Sequence, residues 1–77
     1  MATKLLSDFT VGERGKIKAV SGEGKIRRRL FDMGVTPGAE LIMRKKAPFG
    51  DPIEITIRGY ELTLRKGEAE FVEVEVL

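Results

Sequence analysis

Apolar and polar positions alternate in several segments of the chain. Lys16-Ile17-Lys18-Ala19-Val20 alternates, and so do Ile53-Glu54-Ile55-Thr56-Ile57 and Val72-Glu73-Val74-Glu75-Val76. Period two marks a strand with one buried face. Apolar residues at 41, 42 and 43 place another strand over Ala39–Lys46. Leu62 and Leu64 belong to a strand that returns from Ile57 across a short turn at Gly59-Tyr60. One segment has a different period. Ile26, Leu30 and Met33 fall at i, i+4 and i+7, one face of a helix at about residues 23–33. Glu23 then sits in its first turn, where the helix dipole favours an acid, and Gly34 follows as a left-handed cap. Leu5 and Leu6 open the ordered region. Val11-Gly12 and Thr36-Pro37-Gly38 read as turns, and Arg65 to Ala69 as a turn or a single helical turn.

Five short strands with one helix inserted after the first predict an all-β fold, a small five-stranded SH3-like barrel. An OB-fold barrel also has five strands and a helix, but there the helix usually comes between strands three and four. In an SH3-like barrel the first and last strands are antiparallel neighbours. That would place Lys16 and Lys18 opposite Glu73 and Glu75, where opposite charges help choose the register.

The length of 77 residues sets one domain, spanning residues 1–77, with a thin core. The chain contains no cysteine, which removes disulfides and thiolate metal sites and fits a reducing, cytoplasmic location. No apolar run is long enough to span a bilayer, and no signal peptide opens the chain, so direct membrane insertion is not expected. Histidine is also absent, and with it the most versatile acid–base group and the commonest metal ligand. The net charge of +2 conceals an asymmetry: residues 1–46 are basic and residues 47–77 acidic.

Sequence motifs for catalysis fail on inspection. Gly22-Glu23-Gly24-Lys25 precedes the helix, but a phosphate-binding loop needs a glycine where Ala19 stands and Ser or Thr where Ile26 stands. The dinucleotide pattern fails at Arg27, where its third glycine belongs. No catalytic set and no cofactor are expected. Arg27-Arg28-Arg29 and Arg44-Lys45-Lys46 are basic clusters, yet no aromatic residues interleave with them for base stacking and no Asn or Gln is present to read adenine edges. They read as a solvated helix face and strand exteriors. Glu68, Glu70, Glu73 and Glu75 read as a solvated acidic face and not as a metal site, since carboxylates alone hold hard cations weakly. The remaining feature is Ala47-Pro48-Phe49-Gly50-Asp51-Pro52, a rigid hairpin loop carrying an aromatic between two prolines. Phe49 either projects from the tip, pre-ordered for docking, or folds back to plug the barrel end. Phe9, Phe31 and Phe71 read as core or rim.

These residues resemble the FeoA family, small cytosolic accessory proteins of bacterial ferrous-iron uptake. The resemblance begins at Leu5 and Gly12 and continues through Arg29-Leu30, Asp32-Met33-Gly34 and Pro37-Gly38. It then takes in Ala47-Pro48-Phe49-Gly50-Asp51-Pro52, Gly59, Leu62, Leu64-Arg65 and Glu68-Ala69. It implies an SH3-like barrel and a partner, the membrane transporter FeoB with its cytosolic GTP-binding domain. The same domain type occurs at the carboxyl end of iron-dependent repressors. No DNA-binding or metal-sensing domain precedes it in this sequence, which favours the stand-alone form. The family's association with metal ions finds no ligand set in this sequence and carries over as a pathway label only. The expected role is therefore a non-enzymatic accessory protein that binds the cytosolic part of FeoB, with Arg28 and Arg29 on the helix and Phe49 and Asp51 on the loop as partner-binding residues. An SH3-like module for Pro-rich or extended peptides and a nucleic-acid-binding small barrel are the alternatives.

Overall fold

Each alternating segment forms a strand in the computed structural model, which describes residues 2–77. In chain order the elements are β1 (Thr3–Leu5), a single 3-10 turn (Leu6–Asp8), β2 (Arg14–Val20), α1 (Lys25–Asp32), β3 (Glu40–Lys46), β4 (Ile53–Ile57), β5 (Tyr60–Leu64), α2 (Lys66–Ala69) and β6 (Val72–Val76). The strands form one antiparallel sheet in the order β1-β6-β2-β3-β4-β5. The five expected strands are all present, so the all-β reading with one short helix holds, and the helix follows the first of those five. A sixth strand, β1, was not expected. It pairs with β6 from Thr3 opposite Glu75 to Leu5 opposite Glu73, and three residues are too few to display a period.

The inward-facing residues of the strands fill the core, with Ile17, Met43, Ile55, Ile57, Val72 and Val74 all shielded from solvent. Leu6 and Phe9 enter from the N-terminal segment and Leu30 from α1. Burying each such side chain contributes about 1.5–3 kcal/mol. Two bulges bend the sheet around this core, one between Ile17 and Ala19 and one between Met43 and Lys45. The first bulge lets Ile17 and Val20 both point inward although they are three residues apart. It also corrects the expected charge pairing. Lys16 does face Glu75, but Glu73 faces Ala19, and Lys18 has no cross-strand partner on β6.

α1 is shorter than its sequence signature. It starts after Gly24, so Glu23 lies outside its first turn. Of the expected apolar stripe only Leu30 is fully buried; Met33 is half-buried and Ile26 is exposed. The helix ends as the sequence implies. Gly34 is left-handed (φ 89°), Val35 N–H bonds to Leu30 O at 2.9 Å, and Gly34 N–H bonds to Phe31 O at 3.0 Å. Leu30 and Val35 are both buried, which completes a Schellman cap.

The β4–β5 turn also differs from expectation. Its two central residues are Arg58 (φ 50°) and Gly59 (φ 83°), so Tyr60 opens β5 opposite Ile57. Two successive positive φ values are those of a type I′ turn, whose twist suits a two-residue hairpin. Left-handed backbone costs a non-glycine residue about 1–2 kcal/mol. The Arg58 side chain offsets this by donating to Gly34 O at 3.1 Å and to Thr36 Oγ1 at 2.5 Å. Tyr60 Oη donates to Met33 O. These bonds hold the C-terminal end of α1 beside β5, the outer strand of the sheet.

Candidate functional site

The loop between β3 and β4 is built from local turn chemistry. Gly50 N–H bonds to Ala47 O at 2.7 Å, closing a turn with Pro48 and Phe49 at its centre. Pro at the second turn position and Gly at the fourth are the favoured residues for such a turn. Ala47 N–H bonds to Pro52 O at 3.1 Å, tying the loop base together. Phe49 projects from the tip with 93% of its surface exposed. The outward reading therefore holds, and the alternative in which Phe49 plugs the barrel end is excluded. Leu6 and Phe9 are among the side chains that fill the interior instead.

The base of this loop walls a groove of about 470 Å³ that also runs along the end of β5 and between the two helices. Asp51 and Pro52 come from the loop, Thr63 and Arg65 from β5 and its end, Glu68 from α2 and Arg29 from α1. Asp51 Oδ1 accepts the Lys66 N–H at 2.9 Å and so anchors the loop to the start of α2. Glu68 Oε1 accepts the Arg65 N–H at 3.0 Å, and its Oε2 meets Arg29 Nε at 3.1 Å. Glu68 is largely shielded, whereas Arg29 keeps 68% of its side chain exposed.

Of the four residues expected to bind a partner, the fold brings Arg29 and Asp51 into one groove and places Phe49 on the loop that walls it. Arg28 lines a separate groove of about 330 Å³ with Gly24, Arg27, Phe31 and Asp32. There the Arg27 guanidinium lies 4.8 Å from the centre of the Phe31 ring. Three polar groove residues were not anticipated as binding groups: Thr63, Arg65 and Glu68. Glu68 was grouped with the solvated acidic face, but it sits between two arginines. A Glu at the third position of a short helix is the signal that marks it, since its carboxylate reaches back to the N-cap N–H, here that of Arg65. The second basic cluster is not wholly solvated either. Lys46 is half-buried and donates to Ser7 O at 3.1 Å and Phe9 O at 2.7 Å.

Among the described residues one titratable group is clearly perturbed. The Lys4 ammonium at 2.7 Å, reinforced by the Thr10 N–H, pulls Glu13 from 4.5 down to about 2. This pair ties β1 to the turn before β2 and lies outside the groove. Among the described residues no group of three or more carboxylates is placed to hold a metal ion.

The FeoA domain model matches residues 4–76. A Porphyromonas gingivalis protein that fuses the Fe(2+) transport protein A to the FeoB transporter is 33% identical over 94% of this chain. This chain spans only 8% of that protein's length. The FeoA-like protein of Clostridium acetobutylicum superposes with a TM-score of 0.91 and 40% identity, over all of this chain and 90% of that one. The zinc complex of Stenotrophomonas maltophilia FeoA, described as an SH3-domain protein, superposes with a TM-score of 0.80 and 28% identity, over 94% and 89% of the two chains. The sheet is thus an SH3-like barrel, as its alternating segments implied.

Proposed function

The chain belongs to the FeoA domain family, and on that premise we propose that it is a non-enzymatic accessory protein of ferrous-iron uptake that docks on the cytosolic part of FeoB. The observation that carries this reading is the Porphyromonas gingivalis fusion, in which the relative of this domain shares one polypeptide with the transporter. Physical linkage of two domains raises their effective concentration and suits a pair that works in contact. The geometry supports a docking role. Phe49 is a rigidly presented aromatic of the kind that anchors interfaces, and beside it lies a groove with the guanidinium of Arg29 and the carboxylate of Asp51. Arg28 extends the surface from the helix. The sequence contains no histidine or cysteine, so its hydroxyl groups lack the usual activating base. Among the described residues no helix is long and apolar enough to cross a membrane. The cytoplasmic face of the transporter is part of the same proposal.

Titration of the chain with the soluble cytosolic fragment of its cognate FeoB tests the reading. A Pro-rich peptide and a single-stranded oligonucleotide serve as competitors. Saturable binding to the FeoB fragment alone is the expected result. Binding to the Pro-rich peptide or the oligonucleotide in its place would sink it.

A further inference from the structure

The groove between α1, the end of β5 and the 47–52 loop has an imbalance of hydrogen-bonding capacity. Its carboxylates are largely committed. Glu68 Oε1 accepts the Arg65 N–H, its Oε2 is in an ion pair with Arg29 Nε, and Asp51 Oδ1 accepts the Lys66 N–H. Its guanidinium groups are not. Each carries five N–H donors. Among the described residues Arg29 reaches a carboxylate only through its Nε, in the ion pair with Glu68, and Arg65 is bonded there through its backbone N–H and not through its guanidinium. Donors therefore face the groove in excess over free acceptors. A second groove of about 310 Å³ shares Pro52 and Thr63 with the first and adds Lys45 and Lys46 at its far side. Together they form a trough that passes beneath the loop bearing Phe49.

We propose that this trough binds an extended, acidic peptide segment of the partner, with Arg65 and Arg29 receiving its carboxylates. This deepens the docking reading above and rests on it for the identity of the partner, but not for the chemistry of the groove. Guanidinium groups pair with carboxylates through two parallel bonds, which gives orientation as well as attraction. A peptide fits better than a nucleic acid, because its carboxylates can be spaced to meet Arg29 and Arg65 and to miss Asp51, Glu54 and Glu68, whereas a nucleic acid carries a charge at every residue. The trough has a second use for Glu68. By holding Arg29 from one side it presents the remaining donors of that guanidinium outward.

Arg65 is the clean test position. Its backbone N–H, not its side chain, holds Glu68 Oε1, so Arg65→Ser leaves α2 capped. The probe is a terminally blocked octapeptide alternating Glu and Thr, compared with its Lys–Thr counterpart, and amide chemical shifts of the full chain provide the readout. Saturable shifts at Asp51, Thr63, Leu64, Arg65 and Glu68 are expected with the Glu peptide only. Arg65→Ser should weaken binding at least about fivefold, and salt at about 0.5 M should weaken it further. Shifts that map to Lys25 and Arg28, equal binding of the Lys peptide, tighter binding of an oligonucleotide at the same amides, or indifference to Arg65→Ser each overturn the proposal. The FeoB fragment is titrated separately. If the Glu peptide binds and the FeoB fragment does not, the docking reading falls and the acidic-peptide groove stands. If the fragment binds but the Glu peptide neither binds nor competes, the groove assignment falls and the docking reading stands.

Discussion

Replacing Phe49 with alanine separates folding from docking. The ring is 93% exposed, so its removal deletes no core contact. The loop is held by backbone bonds, Gly50 N–H to Ala47 O and Ala47 N–H to Pro52 O, and by Asp51 at the Lys66 N–H. All of these survive the substitution. Stability should change by less than about 0.5 kcal/mol, as for a surface position without special backbone or capping duties. That corresponds to a shift in Tm of about 2–4 °C or less for a domain of this size. Docking should respond differently. Burying a phenylalanine side chain fully is worth about 1.5–3 kcal/mol, and little ordering cost offsets it because the turn already fixes the backbone. A loss of about 2 kcal/mol weakens Kd about 30-fold. Calorimetric titration with the cytosolic FeoB fragment, beside thermal unfolding followed by circular dichroism, reads both quantities. A Kd within about twofold of the parent would refute the assignment of Phe49 as an anchor. A collapse of the thermal midpoint would show that the ring is structural after all.

Gly15→Ala should destabilise the fold by about 2 kcal/mol, because a Cβ there would run into Val74 Cγ1 and lie 2.9 Å from the Glu75 carbonyl oxygen. Thermal unfolding should show a midpoint lower by about 8–16 °C, and an unchanged midpoint would contradict the close approach of β2 and β6. The Lys4–Glu13 pair makes stability depend on acid. The folded carboxyl titrates at about 2 and the unfolded one near 4.5, so its contribution is present above pH 4.5 and is lost as the pH falls towards 2. Urea unfolding across that window should show the parent losing more stability than Glu13→Gln. Isolated chain should bind neither Fe(II) nor Zn(II) tightly, since it has no histidine or cysteine to hold them. A stoichiometric, sub-micromolar site found by calorimetry would overturn this, and the zinc complex of the Stenotrophomonas relative makes the measurement worth performing.

Local rules account for what was legible in the amino-acid order. Side chains alternate across a strand whatever the strand pairs with, so Ile53, Ile55 and Ile57 declared their buried face without reference to the rest of the chain. Gly34 ended α1 because only the residue after the cap must turn left-handed. Pro48 and Gly50 fixed the loop as a turn for the same local reason. The family resemblance rested on those motifs and was equally readable.

Other features depend on residues distant in sequence, and only the assembled sheet decided them. β1 is a strand because β6 offers it an open edge, not because Thr3-Lys4-Leu5 has a pattern of its own. Lys18 lost its expected partner to a bulge that serves the burial of Val20. Arg58 occupies a conformation its residue type disfavours, held there by carbonyl and hydroxyl groups of Gly34 and Thr36 more than twenty positions away. The direction of Phe49 was open until the core proved to be filled by other side chains. The groove is the clearest instance. Arg29, Asp51 and Arg65 come from a helix, a loop and a strand end, and their hydrogen-bonding imbalance exists only where the sheet order sets those elements side by side. Periodicity is a property of the local backbone, whereas a binding surface is a property of which backbones meet.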